Sequence, residues 1–178
     1  TQDVFRCVDR VEGLPDLRFV KRRGLSYSFT GEKLTGEQVE EAVAAVASDL
    51  PEIQRQGIQF TLVPWQPAEG LPGYVLVGAL AQGGGTVSLS EADLARSFQS
   101  ALTNINHEFR DKLASGRLRE IAACLLPYDD VACLLDPKTT DAEQVAGRTW
   151  ESQFKLTPLT GKRWEQLDSG ALHPEPAR

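Results

Sequence analysis

The side chains best suited to chemistry gather near the start of the chain. Asp9 follows an apolar stretch, and the pair Arg22 and Arg23 follows a second apolar run and precedes Gly24. A carboxylate can accept hydrogen bonds from both hydroxyls of a ribose. An arginine stays charged and can bind a phosphate or a ribose through two donors. These residues are candidates for contacting a nucleotide, although a surface ion pair at Asp9 and a solvated basic turn at the arginines explain the same patterns.

A lysine near the other end of the chain could act at a reaction centre. Lys155 stands in the segment Ser152-Gln153-Phe154-Lys155-Leu156. A lysine that reaches a reacting acyl phosphate would neutralise the negative charge that develops there. An exposed lysine without a chemical role fits the same pattern.

Several familiar catalytic motifs are incomplete in the sequence. Neither Gly31-Glu32-Lys33 nor Gly161-Lys162 forms a Walker A phosphate loop, because the earlier glycine and the following Ser or Thr are missing. His107 has no partner histidine three or four residues away, and no serine stands in a G-x-S-x-G elbow. The sequence therefore argues against P-loop, zinc and serine-hydrolase chemistry.

The composition excludes several classes of partner. The 178 residues carry a formal net charge of −6, whereas a nucleic-acid-binding domain normally presents a basic face. No apolar run is long enough to span a membrane, and charged residues interrupt the first ten positions where a signal peptide would lie. The three cysteines lack zinc-type spacing and suit free thiols in a reducing compartment. We expect a cytoplasmic protein that binds neither nucleic acid nor membrane.

Apolar spacing and capping signals predict alternating strands and helices. Thr35 and Gln38 form a capping box at the start of a first helix. Ser90 marks the start of a second helix, whose apolar stripe continues without a break to Leu113. The predicted strands cover residues 4–11, 17–21, 25–29, 58–63, 74–80 and 119–126.

The remaining segments connect these elements. We predict a turn with a charged tip at residues 30–33, a Pro- and Gly-rich loop from Pro64 to Gly73, and a flexible glycine run at 82–86. Residues 131–135 fit either a strand or a short helix, and residues 142–150 fit a helix. This order of elements predicts an α+β fold, in which helices pack on a mixed or antiparallel sheet.

The chain is expected to be a piece of a longer protein, because Thr1 stands almost within the first predicted strand. We divide it into a hinge-proximal β segment at residues 1–24, an α/β domain at 25–165 and a flexible tail at 166–178, where prolines are frequent.

Four segments in this order resemble motifs of the adenylate-forming superfamily and, within it, of the Gretchen Hagen acyl-acid amido synthetases, which include auxin-conjugating enzymes and bacterial relatives. Phe5-Arg6-Cys7-Val8-Asp9 resembles a Tyr-Arg-x-Gly-Asp segment, with Phe in place of Tyr and Val in place of Gly. Phe19-Val20-Lys21-Arg22-Arg23-Gly24 resembles the hinge. Asn106-His107-Glu108-Phe109-Arg110 resembles Asn-x-x-Tyr-Arg, and Gln153-Phe154-Lys155 resembles Gln-Tyr-Lys.

The resemblance implies an enzyme of two domains. A large N-terminal domain, absent from these residues, would bind ATP, Mg²⁺ and a carboxylic acid, and would form an acyl-adenylate with release of pyrophosphate. The C-terminal domain would then rotate about the hinge, and an amine, typically an amino acid, would attack to give an amide. This chain would be that C-terminal lid domain, with its own N-terminal domain and the two small substrates as partners.

The same resemblance assigns roles to individual residues. It implies that the segment containing Phe5 and Asp9 binds the nucleotide, with Asp9 on the ribose. It implies that Arg22 or Arg23 contacts ribose or phosphate at the hinge. Lys155 would assist adenylation when the lid is closed, and Lys162 is its rival because the superfamily places a lysine in a similar Gly-Lys turn. The alternative is a non-enzymatic α+β protein-interaction domain that matches these motifs by chance.

Overall fold

A computed structural model gives the three-dimensional structure of the chain and describes residues 3–22, 26–81, 89–135 and 156–164. Five helices and seven strands within these ranges confirm the predicted α+β class. In chain order the elements are β1 (Asp3–Val11), β2 (Leu14–Arg22), β3 (Ser26–Tyr27), β4 (Leu34–Thr35), α1 (Gly36–Asp49), α2 (Pro51–Arg55), β5 (Gln59–Trp65), β6 (Gly73–Leu80), α3 (Glu91–Ile105), α4 (His107–Ala114), β7 (Ala122–Pro127) and α5 (Tyr128–Leu135).

Helix α1 begins where its sequence signals predict. The Thr35 hydroxyl accepts a hydrogen bond from the Gln38 N–H, and the Gln38 side chain accepts one from the Thr35 N–H. Two N–H groups at the helix start are thereby satisfied. The helix buries Val39, Ala42 and Val46, which recur at helical spacing and face the sheet.

The main sheet has three strands in the order β5-β6-β7. β6 pairs antiparallel with β5 and parallel with β7, so the sheet is mixed and β6 is its central strand. Residues 73–79 are all buried, as the continuous apolar run in this strand predicts. The predicted loop begins too early, because Pro64 and Trp65 still pair with Tyr74 and Gly73 at the end of β5.

Alternate residues of each strand enter two separate cores. One core, against α1, α3 and α4, includes Phe60, Leu62 and Leu76. The other core, on the opposite face, includes Val63, Val75 and Val77 and is covered by α5 and by Trp164. Because side chains alternate across a strand, the sheet is buried on both faces and forms the middle layer of the domain.

Both edges of this sheet are occupied. On the outer side of β7, the N–H of Leu125 donates to Glu91 (2.7 Å) and the N–H of Ile121 donates to Gln99 (2.7 Å), so side chains of α3 and its first turn satisfy the edge. On the outer side of β5, Leu62 exchanges backbone hydrogen bonds with Pro158 (2.8 Å) and Thr160 (3.1 Å) in a parallel bridge. These contacts remove unpaired edge groups that could pair with another chain.

The predicted unbroken second helix is wrong, because the chain forms two helices separated at Asn106. This residue has an extended backbone (φ −118°, ψ 104°), and its side chain accepts a hydrogen bond from the N–H of Phe109 at 2.8 Å. Asn at this position caps a new helix instead of continuing the old one. The apolar stripe nevertheless stays on the core side, since both Leu102 and Phe109 are fully buried.

Later segments resolve one ambiguity and leave two predictions untested. Residues 131–135 belong to helix α5, whose first turn carries Asp129 and Asp130, the charge favoured at a helix start. The predicted glycine loop at 82–86 and the predicted helix at 142–150 lie outside the described residues. No described helix is both long and apolar enough to cross a bilayer.

Candidate functional site

The hairpin of β1 and β2 carries most of the predicted nucleotide-binding residues. Phe5 pairs with Phe19 in the antiparallel register, and Asp9 pairs with Asp16 near the turn. The Asp9 carboxylate is exposed and accepts a hydrogen bond from the N–H of the next residue at 2.7 Å. The side chain of Asp9 therefore faces solvent and can accept further hydrogen bonds.

The hairpin separates Asp9 from Arg22. Arg22 pairs with Asp3 at the open end of the hairpin, six positions from Asp9 along β1. At a rise of about 3.3 Å per residue, the two ends lie roughly 20 Å apart. The predicted ribose contact and the predicted hinge arginine are thus not brought together by these two strands. Arg23 lies outside the described residues.

The hairpin also exposes a large apolar surface. Val11, Leu14 and Leu17 are 62%, 72% and 52% exposed, and Phe5 is 48% exposed. Among the described residues, neither core cluster of the domain includes a residue of this hairpin. An isolated two-stranded hairpin is marginally stable in water. Its apolar side chains are therefore suited to packing against another surface.

The predicted charged turn after the hairpin has a buried acid, Glu32, at its centre. This side chain is 0% exposed, and its carboxylate accepts hydrogen bonds from the N–H of Phe29 (2.7 Å) and the N–H of Thr30 (2.8 Å). It also accepts bonds from the Thr30 hydroxyl (3.2 Å) and the Tyr74 hydroxyl. Four donors compensate the cost of removing this charge from water.

Opposing influences act on the ionisation of this acid. Burial by itself raises the pKa of Glu32, but the bonds from Phe29, Tyr74 and Thr30 stabilise the carboxylate and together lower its pKa below the ordinary value of 4.5. Burial and the neighbouring carboxylate raise the pKa of Tyr74, so its hydroxyl remains a donor. Glu32 is therefore a charged structural acceptor at neutral pH.

Asn106 extends this network to both neighbouring helices. Its amide donates to the backbone oxygen of Glu32 (3.0 Å) and to the Gln38 side chain (3.0 Å), while its own oxygen caps α4. The network thereby joins the turn at residues 28–33, the start of α1, the start of α4 and strand β6. Asn106, which the sequence connects to a family motif, has a positioning role in this structure.

Lys162 lies on a turn whose two ends are fixed. Before it, Leu159 is 2% exposed and pairs with β5; after it, Trp164 is 5% exposed and lies in the second core. Within the turn, the N–H of Lys162 donates to the Thr160 hydroxyl at 3.1 Å. We refer to residues 159–164 as the lysine turn. It carries a partly exposed lysine on a backbone that buried residues hold at both ends.

Arg163 connects the lysine turn to the chain that follows the hairpin. Its Nε donates a hydrogen bond to the Tyr27 hydroxyl at 2.9 Å, and its guanidinium carbon lies 6.0 Å from the centre of the Phe29 ring. Tyr27 and Phe29 form edge contacts with each other and with buried Tyr74. The structure thus brings the chain neighbour of a predicted candidate lysine into contact with the segment that leads out of the hairpin.

The other predicted lysine and the metal are not placed by the structure. Lys155 lies outside the described residues. Within the ranges that are described, no group of three His, Cys, Asp or Glu side chains could hold a metal ion. The sequence reasoning missed the roles of Glu32 and Arg163. No local signal marks the contact between Tyr27 and Arg163, because 136 positions separate them.

Comparison with known proteins relates this fold to a class of enzymes. No family model matches the sequence, and no curated protein matches it. Among solved structures, "GH3.15 acyl acid amido synthetase" matches with a TM-score of 0.60 and 14% identity, over 94% of this chain and 29% of that one. "AtGH3.15 acyl acid amido synthetase in complex with 2,4-DB" matches with a TM-score of 0.59 and 14% identity, over 93% and 28%.

The extent of these matches limits the conclusion to the fold. The chain spans less than a third of the length of either solved protein. At 14% identity, the similarity concerns the arrangement of helices and strands, whereas function depends on the individual residues of a site. The chain therefore has the α+β fold of one part of an acyl acid amido synthetase.

Proposed function

We propose that this chain is the C-terminal domain of an ATP-dependent ligase that activates a carboxylic acid and transfers it to an amine. In the first step a carboxylate oxygen attacks the α-phosphate of ATP, which gives acyl-AMP and pyrophosphate. In the second step an amine attacks the acyl carbon, which gives an amide and AMP and releases a proton. The observation that carries the proposal is the fold shared with acyl acid amido synthetases over 94% of the chain.

Lys162 is the residue that we assign to the adenylation step. Negative charge develops between the carboxylate and the α-phosphate, and a cation held in a fixed position stabilises it without reorganisation. The buried flanks of the lysine turn supply such a position, since Leu159 and Trp164 are held in the domain. Lys155, which lies outside the described residues, remains the rival candidate for this step.

The hairpin is assigned to the nucleotide and to the rest of the protein. Asp9 is an exposed carboxylate that can accept the ribose hydroxyls, and Phe5 lies in the same strand. Arg22 lies at the other end of the hairpin, roughly 20 Å from Asp9, so we assign it to a phosphate and not to the same ribose, with Arg23 as the rival arginine. The exposed apolar residues of the hairpin pack on the protein's own N-terminal domain, which removes them from water.

ATP and Mg²⁺ enter this proposal with different roles for the chain. The exposed Asp9 carboxylate can accept hydrogen bonds from the ribose hydroxyls, and the partly exposed Lys162 carries the charge opposite to that of the phosphates. Mg²⁺ usually binds phosphate oxygens, water and one or two carboxylates. The described residues offer no three-ligand cluster for it, so we assign it to ATP and to the N-terminal domain.

The test is pyrophosphate exchange into ATP by the full-length protein, measured with a panel of carboxylic acids. Lys162→Ala should lower kcat by about 10²–10³-fold, the usual effect of removing one preorganised charge-stabilising group. Arg55→Ala is the matched control, because Arg55 is an exposed cation on α2 paired with Glu52 at 3.9 Å. It should retain wild-type exchange.

Two outcomes would change the assignment. If Lys162→Ala is as active as wild type and Lys155→Ala is not, the lysine role passes to Lys155. If the full-length protein shows no exchange with any carboxylate, the enzyme proposal fails. The 178-residue chain by itself should show no exchange, since the proposed ATP-binding domain is separate from it.

The second candidate is a non-enzymatic protein-interaction domain, favoured by the apolar side chains that the hairpin exposes. The sequence encoded upstream of Thr1 separates the two candidates. Several hundred residues that include a Ser/Thr/Gly-rich phosphate loop support the enzyme, whereas a start codon directly before Thr1 supports the interaction domain.

A further inference from the structure

The hairpin and the body of the domain are joined through three residues. β2 ends at Arg22, and β3 begins at Ser26. We refer to residues 26–35 as the anchor segment, since they are the first residues of the body. The contacts of this segment determine how firmly it is held to the rest of the body.

The anchor segment is attached firmly on its inner side. Glu32 is completely buried and receives four hydrogen bonds, one of them from Tyr74 on the central strand. Leu34 is also 0% exposed, and Asn106 donates to the Glu32 backbone at 3.0 Å. Buried and fully paired polar groups have few alternative arrangements. The segment thus belongs rigidly to the body.

The outer side of the anchor segment touches the lysine turn. Tyr27 is two residues into the body and accepts the hydrogen bond from Arg163 at 2.9 Å. The Arg163 guanidinium also lies above the Phe29 ring, at 6.0 Å, within the range of a cation–π interaction. Arg163 directly follows Lys162 in the chain. One contact therefore connects the start of the body to the neighbour of the candidate lysine.

We propose that Arg163 and Tyr27 are positioning residues that fix Lys162 relative to the anchor segment. This inference rests on the proposed function, because that function requires the Lys162 ammonium to be held in an accurate position. Lys162 can stabilise the reacting groups only if its ammonium is held to within a fraction of an ångström of the required position. The Tyr27–Arg163 contact ties the lysine turn to the anchor segment, which is itself held firmly in the body.

The kinetic test uses two small changes in the full-length protein. Tyr27→Phe removes only the accepting hydroxyl, and Arg163→Gln removes the charge and the Nε donor. Each should lower kcat for pyrophosphate exchange by about three- to tenfold, which corresponds to one hydrogen bond, with the KM for ATP unchanged. Arg96→Gln is the control, because Arg96 pairs with Asp93 on the exposed face of α3, and should leave kcat unchanged.

A second measurement follows the contact without relying on turnover. Hydrogen exchange of backbone amides in residues 159–164 should become about three- to tenfold faster in Tyr27→Phe than in wild type, with exchange in β6 unchanged. Faster exchange throughout the domain would indicate general destabilisation and would overturn the inference. Unchanged exchange in the lysine turn would overturn it as well.

The two measurements keep this inference separate from the proposed function. If the wild-type protein catalyses pyrophosphate exchange and Tyr27→Phe retains its full kcat, the positioning role fails while the enzyme proposal stands. If the wild-type protein shows no pyrophosphate exchange with any carboxylate, the enzyme proposal fails. The role of the Tyr27–Arg163 contact in catalysis then fails with it. Local loosening of residues 159–164 would then support only a structural tie between the two segments.

Discussion

Replacing Glu32 by glutamine should destabilise the domain strongly, although the two side chains have nearly the same shape. The carboxylate receives two donors on each oxygen: Phe29 N–H and Tyr74 hydroxyl on Oε1, and Thr30 N–H and hydroxyl on Oε2. A glutamine must place its NH₂ group at the position of one of these two oxygens. A hydroxyl there can rotate and accept, but a backbone N–H cannot.

The magnitude follows from this count. Either orientation of the glutamine leaves one partly buried backbone N–H without an acceptor, which costs about 1–3 kcal/mol. The bond that remains to the other backbone N–H changes from charged to neutral, which costs about 1 kcal/mol more. We expect a loss of about 2–4 kcal/mol in the free energy of unfolding. For a domain of this size, 3 kcal/mol lowers Tm by roughly 6–12 °C.

Urea and thermal unfolding at pH 7, followed by circular dichroism, measure this effect. Tyr74→Phe is the graded control, because it removes one of the four donors and leaves the carboxylate in place. It should cost about 1–2 kcal/mol, less than Glu32→Gln. A loss below about 1 kcal/mol for Glu32→Gln, or the opposite ranking, would refute the account of Glu32 as a charged structural acceptor.

The pH dependence has a definite sign. The folded pKa of Glu32 is lower than its ordinary value of 4.5, so the charged form stabilises the fold above that value. This contribution disappears as the pH falls through the folded pKa, while glutamine does not titrate. The stability difference between wild type and Glu32→Gln should stay constant from about pH 8 to pH 5 and narrow below about pH 4. A difference that grows on acidification would contradict this reasoning.

Two further predictions concern the sheet. A Cβ added at Gly78 would lie 2.5 Å from the Leu125 side chain. Gly78→Ala should therefore lower the free energy of unfolding, measured by urea titration, by about 1–3 kcal/mol. A variant as stable as wild type would contradict this close packing. Burial and the charge of a nearby carboxylate raise the pKa of Cys124 to about 12, whereas Cys7 is exposed. In a Cys133→Ser background, a thiol reagent at pH 8 should therefore label Cys7 quickly and Cys124 only on unfolding. Rapid labelling of both cysteines in the native protein would contradict the buried position of Cys124.

Local signals predicted much of the fold. The capping box of Thr35 and Gln38 fixed the start of α1, because both partners lie within one turn of the helix. The continuous apolar run at residues 74–80 identified the central strand, since only a strand buried on both faces tolerates it. The predicted strands at 4–11 and 17–21 were close to β1 and β2. β1 begins one residue earlier than predicted, and β2 begins three residues earlier and ends one residue later.

Predictions failed where a distant partner changed the environment of a residue. Asn106 lies within an unbroken apolar stripe, yet its amide bonds to Glu32 and Gln38 and ends the helix there. The parallel pairing of β6 with β7 depends on a connection through two helices, and no strand pattern specifies its partner. The candidate site was predicted only as separate segments, and the structure adds the contact of Arg163 with Tyr27.

The sequence by itself determined the α+β class, the start of α1 and the central strand, because caps and apolar periodicity act between near neighbours. It also offered Asp9, Arg22, Arg23, Lys155 and Lys162 as possible functional residues. Only the tertiary structure decided that Glu32 is buried and that Lys162 stands on a turn tied to the start of the body. Burial and long-range hydrogen bonds depend on which distant segments pack together, and no local pattern encodes that choice.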